Sequence, residues 1–262
     1  MKDLDITIIQ TDLFWEDKQA NLGMLEKKIQ SLINKPQLVV LPEMFSTGFT
    51  MNSETMAETM DGDTVDWMRN ISKDKKMILT GSCIIKENDL FFNRLIWMMP
   101  NGNYGFYDKR HLFGYAKENQ HYTAGNKRLI CSVNGWKVQL QICYDLRFPV
   151  WARQQIREDA PEFDVLIYVA NWPAKRSHAW KTLLCARAIE NQCYVVGVNR
   201  VGNDAFGNNH SGDSMIIDPL GEIIYHKAEE EDIFSCTLSA EKLKEIRSNL
   251  PFLKDADGFI IL

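Results

Sequence analysis

Residues 138–151, VQLQICYDLRFPVW, hold the reading from which the fold follows. Val138, Leu140 and Ile142 alternate with Gln139 and Gln141 at the period of a strand. Cys143 ends the alternation, and Asp145, Pro149 and a helix-compatible stretch follow, so the thiol lies where a strand gives way to a helix. A nucleophile on such an elbow projects into a cleft, and the backbone N–H groups just after it, that of Tyr144 first, face a reacting carbonyl. Taken alone, a cysteine at a strand end is a small buried hydrophobe. The decision rests on what else the chain brings to it.

Two further stretches end in the same manner. LVVLPEMF, residues 38–45, places Glu43 after an apolar run. A carboxylate there is either solvated in a loop or held by a cation inside a cleft, since burying an unpaired charge is costly. YDKRHLF, residues 107–113, presents Lys109 either as a solvated lysine between Asp108 and Arg110 or as a fixed cation. A thiol with an ordinary pKa of about 8.5 is mostly protonated at neutral pH, so a catalytic cysteine needs a carboxylate to take its proton or a cation to favour the thiolate. Glu43, Lys109 and Cys143 supply a base, a cation and a thiol, the parts of an acyl-transfer site.

Outward from these stretches, strand patterns fall at residues 5–10, 37–41, 77–84, 91–98, 103–107, 136–142, 165–169, 194–199, 213–217, 222–225 and 233–238. Helical spacing predicts helices over 18–34 and 177–191, the second with Ser177 as its N-cap, and shorter ones over 64–72, 150–157 and 240–247. This alternation is the pattern of an α/β layered fold, and the number of strands predicts two sheets. Turn signals at Pro100-Asn101-Gly102 and Pro219-Leu220-Gly221 place hairpins among the βα units, so the sheets are expected to be mixed. Residues 1–262 contain no linker or composition break and read as a single domain.

Net charge is −5 with no block of Lys or Arg, which lacks the electrostatic footprint of a nucleic-acid binder. No apolar run is long enough for a membrane span or for the core of a signal peptide, so neither is expected. The six cysteines are widely spaced with no CxxC pair, the usage of a cytoplasmic protein. His111, His121, His178, His210 and His226 are scattered without ligand spacing, and neither a GxGxxG after a strand nor a P-loop occurs. No metal and no cofactor are therefore expected; His111 and His178 read as hydrogen-bonding residues near the cleft. Arg147 is expected to brace the elbow by pairing with Asp145, and Arg187 and Glu190, three apart on a helix, to form a local pair or a dimer contact.

With their neighbours and in this order, the three stretches resemble the Glu-Lys-Cys triad of the nitrilase, or carbon-nitrogen hydrolase, superfamily. The likeness continues through VANWP at 169–173, ARAIENQ at 186–192 and VNRVG at 198–202. YDKRHLF, CYDLRFPVW, YVANWPA and RAIENQCYV together are most similar to its omega-amidase branch, which deamidates 2-oxo acid amides. The resemblance implies a four-layer αββα sandwich with two mixed β-sheets, a homodimer joined through helical faces, and a small-molecule amide as substrate. It makes Glu43 the general base, Lys109 the oxyanion lysine and Cys143 the nucleophile that forms a thioester. It also makes Glu118, in AKENQHYTAG, the second glutamate, which positions substrate and water beside the lysine; otherwise Glu118 is a surface carboxylate next to Lys117.

A 2-oxo acid amide carries a carboxylate far from the reacting amide, and a guanidinium binds such a group through two parallel hydrogen bonds. Arg176, entering the helix at Ser177, is the candidate anchor, with a solvated residue beside Lys175 as the alternative. Phe45, Phe113, Tyr144 and Trp172 are candidate apolar walls. Two other readings stay open: an N-carbamoyl amino acid hydrolase or aliphatic amidase with the same triad, and a catalytically silent binding member of the fold.

Overall fold

The computed structural model describes residues 1–157 and 160–261. Strand β1 (Leu4–Gln10) is buried at every position except Asp5, as a run of apolar residues flanked on both sides by other strands must be. It pairs in parallel with β2 (Leu38–Val40), which pairs in parallel with β3 (Ile78–Glu87). Strands β4 (Leu90–Met98) and β5 (Tyr104–Asp108) follow as antiparallel neighbours, and β15 (Asp232–Leu238) closes the other edge against β1. The result is a mixed six-stranded sheet in the order β15-β1-β2-β3-β4-β5.

The second sheet contains β6 (Ile130–Val133), β7 (Trp136–Ile142), β10 (Val165–Ala170), β11 (Tyr194–Asn199), β12 (Val201–Asn203), β13 (Asn209–Ile217) and β14 (Ile223–Ala228). Its order is β12-β13-β11-β10-β7-β6, with β14 beside β13. Strands β7, β10 and β11 run parallel to one another and the outer pairs are antiparallel. Two short strands, β8 (Ile156–Arg157) and β9 (Ala160–Pro161), form a separate pair.

Packing stacks these elements in four layers. Ile6, Ile8, Val40 and Trp97 of the first sheet meet Val138, Leu140, Ile167 and Val196 of the second in one buried cluster. On the outer face of the first sheet, α1 (Lys18–Gln30) contributes Leu22, Leu25 and Ile29, and α3 (Asp63–Lys75) contributes Val65, Met68 and Ile71. Helix α5 (Ser177–Asn191) lays Trp180, Leu184 and Ala188 on Leu166, Tyr168 and Val195 of the second sheet. Each fully buried aliphatic side chain of this kind contributes about 1.5–3 kcal/mol. At Gly197 in β11 a Cβ would stand 2.5 Å from Leu184, so only glycine lets α5 come this close. The expected αββα sandwich with two mixed sheets is the observed architecture. Smaller helices α2 (Ser53–Met56), α4 (Pro149–Ala152) and α6 (Ala240–Asn249) complete the chain.

Four sequence expectations need correction. The first helix stops at Gln30 rather than 34, because the Ser31 hydroxyl turns back to the Lys28 carbonyl and competes with the next helical turn. The expected helix at 150–157 ends at Ala152. Beyond it Gln154 is claimed by Asn191 and the Gln155 N–H by Glu162, so the backbone has other partners. Ser177 is the first residue of α5 and not its cap; its hydroxyl donates to Asp213 at 2.6 Å, and Arg176 occupies the cap position. Strands β6, β12 and the polar first half of β13 carry too little apolar alternation to be read in advance.

Both expected hairpins form. Gly102 (φ +84°) and Gly221 (φ +89°) close them, each in the left-handed conformation that glycine adopts at no steric cost.

Candidate active site

Strands β2, β7 and β10 end at one side of the sandwich, and the residues that follow them turn inward. After β2, Leu41 and Pro42 lead into a bend in which the Met44 N–H donates to the Ser82 hydroxyl at 2.8 Å and Met44 takes φ +43°. This bend folds Glu43 into the interior, where its side chain has no solvent exposure. After β5, Lys109 is fixed by its own N–H to the Asn93 carbonyl at 3.0 Å. Its carbonyl accepts the Gly125 N–H at 2.9 Å, and a Cβ on Gly125 would fall 2.1 Å from the Asp108 carbonyl oxygen. The loop between Lys109 and Gly125 thus closes on itself and carries Glu118 back to the lysine.

Lys109 and Glu118 are as deeply buried as Glu43. The Lys109 Nζ donates to Glu43 Oε1 at 2.9 Å and to both Glu118 oxygens at 3.0 Å. Burial works against the ammonium, but the Glu118 and Glu43 charges outweigh it and hold the lysine above its ordinary pKa. For Glu118, burial is the largest influence and raises the carboxyl, opposed by Lys109 and reinforced by Glu43. The Phe113 N–H donates to Glu118 Oε2 at 2.5 Å and the Asn171 N–H to Glu43 Oε2 at 2.7 Å. The Asn171 side-chain amide also donates to the Glu43 carbonyl at 2.6 Å, which ties the end of β10 to the end of β2 across the two sheets.

Cys143 follows β7 with φ +44°, a strained conformation for a residue with a side chain, at the start of a 3-10 turn running to Arg147. Asp145 imposes it. That buried carboxylate accepts the Ile142 N–H at 3.1 Å, the Tyr107 hydroxyl at 2.7 Å and the His111 N–H at 2.9 Å, and lies 2.8 Å from His111 Nδ1. Cys143 is partly exposed and lines a cavity of about 260 Å3 together with Lys109 and Asn171. Burial, then the Glu43 charge, push its thiol well above the ordinary value, against the pull of Lys109. The resting group is therefore a protonated thiol beside a carboxylate, so a nucleophilic use of this sulfur would require the proton to leave as it attacks.

Phe113, Tyr144 and Trp172 line the cavity, joined by Phe49, Met51 and Phe206. Phe45 does not: it is fully buried in the core of the first sheet, with its ring 5.9 Å from that of Trp67. Arg176 lines the cavity, its guanidinium 5.2 Å from the Phe113 ring centroid. Arg147 departs from expectation. Its guanidinium sits 4.8 Å over Trp172 and opens into the cavity, while the brace on the elbow comes from Arg187, which donates to the Leu146 carbonyl at 2.7 Å and pairs with Glu190 at 3.0 Å. Neither Arg147 nor Arg176 has a carboxylate partner among the described residues. Burial first, and the like charge of Arg147 with it, lower the Arg176 pKa, so the pair is short of an anion. His111 takes its hydrogen-bonding place beside Asp145, whereas His178 is exposed on α5. Arg147, Asn171 and Asn93, whose side chain bridges the two glutamates, are the site residues that the sequence reading did not assign.

Residues 5–248 match the family described as Carbon-nitrogen hydrolase. The chain is 43% identical to the omega-amidase YafV of Yersinia enterocolitica, over 100% of both chains. It is 31% identical to a 2-oxoglutaramate amidase of Bacillus subtilis, over 95% of this chain and 96% of that one. Among solved structures it is similar to XC1258 of Xanthomonas campestris, a CN-hydrolase superfamily protein with an arsenic adduct in its active site, at 41% identity, a TM-score of 0.98 and full coverage of both chains.

Proposed function

The chain belongs to the carbon-nitrogen hydrolase family, and from that premise we propose that it is an omega-amidase, cleaving the terminal amide of small 2-oxo acid amides such as 2-oxoglutaramate and 2-oxosuccinamate to the 2-oxo acid and ammonia. One observation carries the choice of substrate: two guanidiniums without carboxylate partners among the described residues face the same cavity as the thiol. A carboxylate at the far end of the substrate satisfies them, and the aromatic walls hold the short chain between.

In this reading Glu43 takes the Cys143 proton as sulfur attacks the amide carbon. Lys109, turning toward the substrate one of the three N–H groups that meet its two glutamates, holds the oxyanion together with the Tyr144 backbone N–H. The proton passes from Glu43 to the leaving nitrogen, the C–N bond breaks and a thioester remains. Glu43 then activates water, and the acid departs. Glu118 positions substrate and water beside the lysine.

Ammonia release from 2-oxoglutaramate, set against N-carbamoyl amino acids and simple aliphatic amides, tests the proposal. Preference for an uncharged amide would overturn it. Arg176→Ala is expected to lower kcat/KM for 2-oxoglutaramate by about 10- to 100-fold, mostly through KM, with little change for propionamide, since a lost bidentate ion pair is worth roughly 1.5–3 kcal/mol. Equal losses on both substrates would remove Arg176 as the anchor.

The protein is further proposed to act as one domain and as a homodimer in the cytoplasm. Exposed Val150, Ile189 and Leu220 support an apolar contact around α4 and α5, and six free cysteines fit a reducing compartment. Sedimentation velocity checks the assembly, for which a purely monomeric species would be the contrary result.

A further inference from the structure

Asn93, on β4, is fully buried and touches both glutamates of the site. Its Nδ2 lies 2.8 Å from Glu43 Oε1 and 3.4 Å from Glu118 Oε1. Lys109 Nζ lies 2.9 and 3.0 Å from the same two oxygens. These four groups close a ring in which each facing carboxylate oxygen is met by two N–H donors. The orientation of the amide follows from this, because a carbonyl oxygen turned toward two carboxylates would be repelled. Asn93 Oδ1 is left buried with no partner among the described residues, a cost that a purely structural side chain would avoid.

Neighbouring carboxylates usually share one proton between facing oxygens. Here such sharing would require displacing the N–H bonds that occupy those oxygens. Resting on the proposed role of Glu43, we infer that Asn93 is a positioning residue that keeps the proton taken from Cys143 on Glu43 and prevents its passage to Glu118. The balance of the step requires this. The S–H proton moves to Glu43 as the S–C bond forms, and the same proton must reach the departing nitrogen as the C–N bond breaks. A proton that strayed to Glu118 would neutralise the partner of Lys109 and leave the nitrogen without its acid. Glu118 is a real competitor, since burial raises its pKa. An amide is suited to the position because it donates to both carboxylates and cannot itself relay a proton, as an aspartate would.

Asn93→Ala is expected to lower kcat on 2-oxoglutaramate about a hundredfold, the size of a misdirected general acid-base step, with KM within about threefold. The acidic limb of its kcat/KM profile should move up by about one pH unit, because two carboxylates lose a donor that favours their charged forms. Asn93→Asp, which preserves the shape of the side chain, should move the limb further in the same direction. Rates of Cys143 alkylation by iodoacetamide against pH give a readout that needs no substrate, so failure of the omega-amidase reading is distinguishable from failure of this one. In both variants the alkylation midpoint should rise. Limbs and midpoints unmoved in both, whatever the loss of rate, would reduce Asn93 to a structural residue and overturn the inference.

Discussion

Cys143→Ala is expected to lower kcat by at least about 10^4-fold while leaving the protein folded, because under the proposed mechanism it removes the nucleophile of a concerted unit, which costs nearly all of its catalysis. The magnitude reflects what surrounds the sulfur. Every other cysteine with a shifted pKa is also raised by burial, Cys131 to about 12 and Cys236 to about 11, but Cys143 alone among them stands with a carboxylate and a lysine at a cavity wall. Denaturing mass spectrometry of wild-type enzyme quenched during turnover of 2-oxoglutaramate should show an acyl adduct on the peptide containing Cys143. Turnover retained by the alanine variant, with no adduct in the wild type, would sink the thioester mechanism.

Lys109→Met should damage both rate and stability. Under the proposed mechanism it removes an oxyanion donor, a loss that costs about 10^2- to 10^3-fold in kcat. The stability effect arises from what remains: two fully buried carboxylates that shared this cation. Breaking a buried ion pair from one side costs about 3–5 kcal/mol, which for a chain of this length lowers the melting temperature by on the order of 10 °C. The sign of the pH dependence follows from Glu118. Its folded pKa is already raised by burial, and losing Lys109, which lowers it, raises it further. Between the unfolded value and the raised folded value the native state binds the extra proton, so stability falls as pH rises through that window. Melting of the variant relative to wild type should therefore be closer at about pH 5 than at about pH 8. A deficit independent of pH would contradict the shared-cation account.

The parts of this fold that the sequence discloses are those with a clear apolar pattern, a short mostly apolar run for a strand buried on both faces or an apolar stripe at helical spacing. Strands β1, β4, β7 and β11 and helix α5 appear within a few residues of their observed limits for that reason. The helix expected over 150–157 failed where side-chain amides from elsewhere in the chain, Asn191 above all, took over the backbone, a contact no local pattern carries. At the site, charge and reactivity marked Glu43, Lys109 and Cys143, whereas Glu118 was marked only by the family resemblance. Asn93 and Asn171 are neutral amides, and nothing in their own segments distinguishes them from loop or strand residues; their role exists only once β4, β10 and the glutamate-bearing turns converge. Arg147 was misread because Asp145 is two residues away and opposite in charge. Asp145 is instead engaged by Tyr107, 38 residues distant, and a 3-10 turn sends the arginine toward the cavity.

The tight passage at Gly125 has a bearing on how sequence changes in this protein are to be interpreted. One methyl group there collides with the backbone next to Lys109, and the loop that delivers Glu118 has no room to retreat without carrying both charges with it. Inactivating substitutions thus have a target wider than the reacting groups, and a natural variant with an intact triad but alanine at this position would be silent for steric reasons alone.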